Sequence, residues 1–412
     1  MPDASIKPAL PACSPRGRGL KLSSGVWPTV AVCIILSAFA ALVFRCAFYG
    51  VHSPDESFYL TVPYRLLSGD RLLIDEFQES QFCAFLQYLP FAAFMKLAGS
   101  TDGIVLFFRL LFAVCQTAVS FFIFFRMKRF GVPAALGSAA LYLVYVPEFV
   151  QSLDYYTMSL MATALAAVLL FTSEKISAPK GIFIGVLGAC AVVALPMLAV
   201  VYFAYTAAAL VGLILKKKQR SVPYYITLRV WGFITVGVLL TAACFIAFLL
   251  TRAPLGEYIG HFGNLFSGYD HELTTASGRR SSVITYGVIF ETLFSLHPVA
   301  FPLSLALTAG LLADFRRLSH RPVWCFVLGA FYVYYVVSTL ILLPQRIDHG
   351  MFSPYLPFLL TLHCWLLTEN KNKKLFYIWC AGFIYVLCLG AISQANRYAG
   401  VVGFAVSGIA CA

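Results

Sequence analysis

Pro54-Asp55-Glu56-Ser57-Phe58-Tyr59-Leu60 opens a connector, residues 50–102, whose reading decides the fold. It lies between two apolar stretches long enough to cross a bilayer, yet it cannot cross one itself. Six acids fall early in it: Asp55, Glu56, Asp70, Asp75, Glu76 and Glu79. Short amphipathic pieces rich in Phe, Leu and Tyr run between and after them. Over 55–68, Phe58, Tyr59, Val62 and Leu66 share one helical face despite Pro63. Over 82–97 a second piece carries Phe82, Phe85, Leu86, Leu89, Phe94 and Leu97, interrupted at Pro90. A connector of this length in a mostly hydrophobic chain is usually functional. Both pieces are expected to lie along the membrane interface, the whole forming one wall of an active site.

Outward from this connector the chain is strongly apolar. With 60% hydrophobic residues, 12% charged and a mean hydropathy of +0.82, it is not a soluble domain. Hydrophobic runs of the length that crosses ~30 Å of hydrocarbon recur throughout. They fall near 27–49, 103–125, 131–149, 157–173, 181–195, 197–215, 229–250, 296–313, 322–343, 350–368 and 374–393. The predicted fold class is an all-α polytopic membrane protein with about eleven transmembrane helices and interfacial helices in the first outer loop. Residues 1–26 read as a disordered basic cytoplasmic tail, and 27–412 as a single transmembrane domain with outer loops at 50–102 and 251–295. The first span exceeds a signal-peptide core and no small-residue cleavage site follows it, so it is expected to be retained. No internal repeat is visible, which disfavours the symmetric transporter folds. The apolar tail 398–412 is marginal for a span and is left unassigned.

The formal charge of +12 invites a nucleic-acid partner, but its distribution excludes one. With the N-terminus inside, the inner segments hold 20 of the 30 Lys and Arg and only four of the 18 acids: Asp3, Glu174, Asp314 and Glu369. The excess therefore reports topology by the positive-inside rule. The twelve cysteines fall mostly inside spans without ligand spacing and read as small packing residues.

The polar groups gather on the opposite face. His52, His261, His271, His297 and His349 fall on the outer side or its boundary, with the remaining 14 acids. Loops in water are polar anyway, which accounts for many of them. It accounts less well for acids set against spans: Asp55 and Glu56 just after the first, Asp154 just before the fourth. A partly desolvated carboxylate there can have its pKa raised toward the range of a general base. Neighbours on a helix point about 100° apart, so one of Asp55 and Glu56 faces a cavity while the other caps or packs; Asp55 also suits an N-cap. Arg109 lies about 9 Å into the second span and is expected to pair with an outer-loop acid. Glycines at 256, 260, 263, 268 and 278 make 251–295 a mobile loop carrying Arg279 and Arg280.

Taken in order, Asp55-Glu56-Ser57-Phe58-Tyr59-Leu60, Leu66-Leu67-Ser68-Gly69-Asp70, Lys96-Leu97-Ala98-Gly99 and Phe107-Phe108-Arg109-Leu110 resemble the glycosyltransferase-C superfamily. The resemblance is to its protein-mannosyltransferase and aminoarabinose-transferase branch, and it is best over 27–173. It implies transfer of a sugar from a polyprenyl-phosphate carrier to an acceptor at the extracytoplasmic face of a cell-envelope membrane. The resemblance maps the catalytic carboxylate to Asp55, with Glu56 beside it, and a second acid to Asp154. The late turn before Pro354 and Pro357 supplies Arg346 and His349, which with Arg279 and Arg280 would hold the donor phosphate. Where many members have a His-Pro-Pro type motif, this chain has Glu79-Ser80-Gln81-Phe82. No cofactor is demanded by ligand spacing; a divalent metal ion is the one the resemblance admits, with Glu79 a candidate ligand. The expected partners are the lipid-linked sugar, the bilayer and a glycan, lipid or protein acceptor, with no nucleic acid. The expected location is a bacterial plasma membrane, N-terminus cytoplasmic and active site outside.

The rival reading is a multi-pass transporter or flippase of a lipid-linked or small polar substrate, its acids serving as pathway residues. A transporter places polar residues at mid-membrane on several helices. Here the spans are nearly free of acids except at their outer ends. A non-catalytic scaffold needs no acids at the boundary at all.

Overall fold

The structure, a computed structural model, describes residues 26–49, 55–76, 81–146, 150–217, 223–262, 299–314, 321–342, 356–367, 373–390 and 406–409. Among the described residues the elements are helical, apart from an isolated bridge between Leu72 and Glu76. The long apolar runs condense into α1 (Val26–Cys46), α4 (Ile104–Met127), α5 (Val132–Val144), α6 (Tyr155–Thr172), α7 (Ala178–Ala194), α8 (Ala199–Lys217) and α9 (Leu228–Leu250). Between the first two lie α2 (Asp55–Ser68) and α3 (Cys83–Ala98); α10 (Leu255–His261) follows α9. The later helices are α11 (Ala300–Asp314), α12 (Arg321–Leu342), α13 (Leu356–Leu367) and α14 (Lys373–Gly390).

Each of the eleven expected spans thus contains a helix, but they are not equal. Among the described residues five stretches are long and apolar enough to cross a membrane: 28–46, 104–130, 155–172, 196–215 and 228–250. The expected span 131–149 is corrected to a helix of 13 residues, about 20 Å long. Its sequence continues apolar through Val146, but Tyr145 turns extended and Gln116 of α4 takes over the exposed carbonyls. Gln116 Nε2 donates to Tyr142 O at 2.6 Å and to Tyr145 O at 2.8 Å, which replaces another helical turn. The expected pieces of the first outer loop are present as α2 and α3. In α2, Val62 and Leu66 are buried as expected, whereas Phe58, one turn before Val62 on the same stripe, remains 43% exposed. The basic tail 1–25 and most of the outer loop 251–295 lie outside the described residues.

The main core joins α1, α4, α5, α6 and α14 around Phe108, Phe112, Ile123, Phe124, Tyr142 and Tyr156, all essentially without solvent exposure. Each such aromatic ring removes on the order of 150–250 Å² from water and dominates packing. Tyr385 of α14 reaches the same core, its hydroxyl 2.7 Å from Ser159 Oγ of α6. The segment 406–409 is a helical turn buried against it. Ser138 of α5 donates to Ile409 O at 2.8 Å, and Ser407 donates to Trp379 O at 2.9 Å. A separate group formed by α11, α12 and α13 centres on His363. Thr308 Oγ1 donates to Ser304 O and so accepts from His363 Nε2, while the Tyr332 hydroxyl donates to Nδ1, tying three helices together.

α7 and α9 cross at backbone contact. A Cβ on Gly185 would stand 2.0 Å from Ile234 O, and one on Gly237 would stand 2.0 Å from Ile182 O. Gly181 and Gly185 form the small-xxx-small spacing that lets membrane helices meet this closely. Because the obstacle is backbone, Gly185→Val must drive the helices apart. The expected cost is about 1–3 kcal/mol, read as a lower unfolding temperature in detergent. Gly188→Val, at a position with nothing within 4 Å, should leave that temperature unchanged.

Candidate active site

The first turn of α2 is held by a buried ion pair. Glu56 is fully buried; its Oε2 accepts from Arg109 Nε at 2.9 Å and from Arg109 Nη2, while Oε1 accepts the Gln151 N–H at 3.2 Å. Arg109 Nη1 donates to Ala47 O at 3.3 Å. One carboxylate therefore joins, directly or through Arg109, the end of α1, the start of α2, the N-terminal part of α4 and the turn before α6. Arg109 does pair with an outer-loop acid, and that acid is Glu56. Of the pair Asp55-Glu56, Glu56 is a packed member.

Asp154 begins α6 in a reciprocal cap. Its Oδ1 accepts the Thr157 N–H at 2.7 Å, and Thr157 Oγ1 accepts the Asp154 N–H at 2.9 Å. The Thr157 hydroxyl also donates to Ser152 O at 2.8 Å, folding 152–157 into a tight knot. Asp154 is fully buried and three residues from Gln151, so chain reach alone keeps it within about 10 Å of the amide bound to Glu56. Position 55 stands one turn from Tyr59 on the same stripe of α2. The Tyr59 ring meets the ring of Tyr155, the residue after Asp154, edge-on at 5.3 Å. The α2 start and the Asp154 knot are thus neighbours, brought together by Glu56 on one side and Tyr59 on the other. Beneath them is a recess of about 10 Å³ lined by Tyr59, Val62, Cys83, Ala84, Gln87 and Tyr155, room for roughly one water. Gln87 closes its floor by donating to Leu153 O.

The other acids of the connector do different work. Arg65 donates to Asp70 at 2.6 Å and to Glu76 at 2.7 Å. Arg71 grips Asp75 through Nε at 2.9 Å and reaches Glu257 of α10 at 2.9 Å. Arg252 donates to Leu66 O at 2.6 Å while its guanidinium lies over the rings of Tyr88 and Phe248. Leu73 adopts φ 69°, a left-handed conformation that a leucine holds only under constraint. Its N–H meets Gln81 Oε1 at 2.5 Å, and its side chain is buried beside Tyr258. Four of the six early connector acids, Glu56, Asp70, Asp75 and Glu76, are therefore ion-paired. Three of those pairs belong to a scaffold that docks α10 against the 69–76 turn. Sequence reading passed over Arg65, Arg71, Arg252 and Glu257. Only the i,i+4 spacing of Arg71 and Asp75 hinted at it.

The Arg71 guanidinium holds the Asp75 carboxyl below its ordinary range, mainly through their hydrogen bond. A depressed carboxyl contributes stability that is complete above its unfolded value near 4 and is lost as pH falls through the lowered folded value. Amide exchange of 255–262, corrected for intrinsic rate, is therefore expected to stay flat from pH 8 to about 5 and to accelerate only in stronger acid. Arg71→Gln should raise that exchange from pH 8 to about 5, meet the unaltered chain in stronger acid, and so remove the acid step.

Arg279, Arg280, Arg346, His349 and Glu79 lie outside the described residues. Among the described residues no three His, Cys, Asp or Glu side chains come together as a metal would need. Asp55 itself is described as the first residue of α2.

No family model and no curated protein matches the sequence. Among solved structures, the chain is similar to the archaeal oligosaccharyltransferase AglB from Archaeoglobus fulgidus, in complex with an inhibitory peptide and a dolichol-phosphate. The TM-score is 0.46 and the identity 13%, over 93% of this chain and 50% of that one. The chain spans about half the length of the enzyme it matches.

Proposed function

We propose that this chain is a multi-pass membrane glycosyltransferase that moves a sugar from a polyprenyl-phosphate carrier to an acceptor at the extracytoplasmic face. A lipid-phosphate sugar already carries its leaving group, so the protein need not create one. What it must supply is a base for the acceptor hydroxyl and charge for the departing phosphate. In this reading Asp55 takes the proton as the hydroxyl attacks the anomeric carbon, and the carbon–oxygen bond to phosphate breaks. Glu56 holds Asp55 in place rather than reacting, and Asp154 lends a second carboxylate at the start of α6. Arg279, Arg280, Arg346 and His349 are proposed to meet the phosphate. A divalent ion would share that charge, with Glu79 as a ligand.

The observation that carries the reading is the Glu56 junction. A buried carboxylate that fixes its own neighbour, a loop amide and a span arginine at the membrane boundary suits a positioned catalytic residue beside it. The test is mass spectrometry of surface glycans and of extracted polyprenyl-phosphate lipids from cells with and without the protein. The reading expects one sugar to vanish from the surface while its lipid-linked form accumulates. Unchanged glycans together with an unchanged lipid pool would end it.

A further inference from the structure

The two sides of α10 meet different surroundings. Pro254, with φ −68° and ψ 150°, ends the run of α9 and turns the chain before Leu255. Tyr258 is buried and donates its hydroxyl to Leu249 O at 2.9 Å. That bond keeps the middle of α10 within one side chain's length of the last turn of α9. Glu257 reaches back to Arg71 at 2.9 Å. At 100° per residue, Leu255 and Ile259 lie about 40° apart, and each lies about 160° from Glu257. They are 57% and 67% exposed, and Phe262, next on the same stripe, is 53% exposed. Gly256 and Gly260 occupy a third side, where a Cβ would meet nothing within 4 Å.

The height of the apolar stripe follows from α9. Its 23 residues extend about 34 Å, enough to cross the hydrocarbon, and they end at Leu250. α9 lays Phe245 and Phe248 against Phe85 of α3, each at 5.1 Å. On its other side Leu239, Ile246 and Leu250 form a stripe that is 48–62% exposed, the surface a span offers to lipid. Both helices thus turn one side to the connector and an exposed aliphatic side away from it. The stripe of α9 stops at Leu250, and that of α10 resumes at Leu255, held level with the same turn by Tyr258. Acyl chains that cover Leu250 are within reach of Leu255 and Ile259, and covering them there removes apolar surface from water.

We propose that α10 lies in the leaflet on the connector side of the membrane, with Leu255 and Ile259 among the acyl chains. Glu257 and Arg71 then stand at the headgroups, on the opposite side of the helix. A short helix with one apolar stripe enters the headgroup and acyl boundary by about 5–10 Å. Through the Arg71–Glu257 pair it fixes the height of the 69–76 turn against the bilayer. The contact is independent of the sugar-transfer reading, and neither fails with the other.

The experiment places the full chain in phosphatidylcholine vesicles whose acyl chains carry bromine either close to the headgroup or deep in the bilayer. Leu255→Trp, Ile259→Trp and Gly260→Trp are made singly, and emission added to that of the five native tryptophans is read by difference. Leu255→Trp and Ile259→Trp should lose about half of the added emission to shallow bromine and less to deep bromine. Aqueous iodide should quench them at least about three-fold less than Gly260→Trp, which faces away from the stripe. On the unaltered chain, a phosphatidylcholine bearing a photoreactive diazirine on its acyl chain should label Leu255 or Ile259, read by peptide mass spectrometry. Iodide quenching equal to that of Gly260→Trp would put the stripe in water. Protection from both iodide and bromine would mean cover by a second copy or by another segment of the chain. Either result, or an unaltered chain with no acyl-chain label at 255–259, would overturn the proposal. The labelling decides the matter even if the variants fold poorly.

Discussion

Asp55→Asn is expected to insert and fold as the unaltered chain does but to lose about 100- to 10,000-fold in the proposed sugar transfer from purified polyprenyl-phosphate donor, the range over which a positioned base contributes. The exchange is nearly isosteric. Asparagine serves a helix start as well as aspartate does, so α2 from residue 55 keeps its first turn and the unfolding temperature should not move. What asparagine cannot do is accept a proton at neutral pH. The loss should therefore fall on kcat with KM for the donor unchanged, since the base acts in the transition state and not on the bound carrier. Asp55→Glu, which restores the base but moves it by one methylene, should recover part of the rate. Turnover retained in Asp55→Asn removes Asp55 from the mechanism. A fall in donor affinity alone would reassign it to binding.

How much of this was legible in advance depends on the range of the interaction concerned. The α2 limits follow from local signals: the acids before an apolar face at one end, and Gly69 at φ 113° at the other. Tolerance of Pro63 inside α2 and Pro90 inside α3 was legible too, because the apolar spacing continues past each. The early end of α5 was not, because it depends on Gln116 reaching across from another helix. Helical geometry alone said that one of Asp55 and Glu56 must pack. Which one required the location of Arg109, whose depth in the span was readable and whose partner was not. The connector acids misled in the same way. Asp70, Asp75 and Glu76 look like further members of an active-site wall, yet they answer to Arg65 and Arg71, and through Arg71 to Glu257, 186 residues away. A glycine in a span reads as neutral until its neighbour's carbonyl is found where its Cβ would be, as at Gly185.

Arg109→Leu is expected to cost about 3–5 kcal/mol, the effect of leaving a buried carboxylate without its partner. The side chains of Glu56 and Arg109 are 1% and 7% exposed, so water cannot take over the lost bonds. Leucine fills most of the volume, which separates loss of charge from loss of packing. Adding Glu56→Gln to Arg109→Leu removes the orphan charge while keeping an acceptor for the Gln151 N–H, so the double variant should regain much of that stability. If the pair were only a fold determinant, activity would return with stability. The junction predicts otherwise. Without the two-donor grip of Arg109, the first turn of α2 keeps its bond to the Gln151 N–H but is no longer fixed against α4 and Ala47, and position 55 loses its placement. The double variant should therefore be stable yet remain at least about ten-fold slower, because misplacing a catalytic group by a fraction of an ångström to 1 Å costs one to two orders of magnitude. Unfolding in detergent and single-turnover transfer, run on the unaltered chain, Arg109→Leu and the double variant, separate the two outcomes. A double variant that recovers stability and full turnover together would reduce Glu56 and Arg109 to packing, and would leave α2 without the anchor that a positioned Asp55 needs.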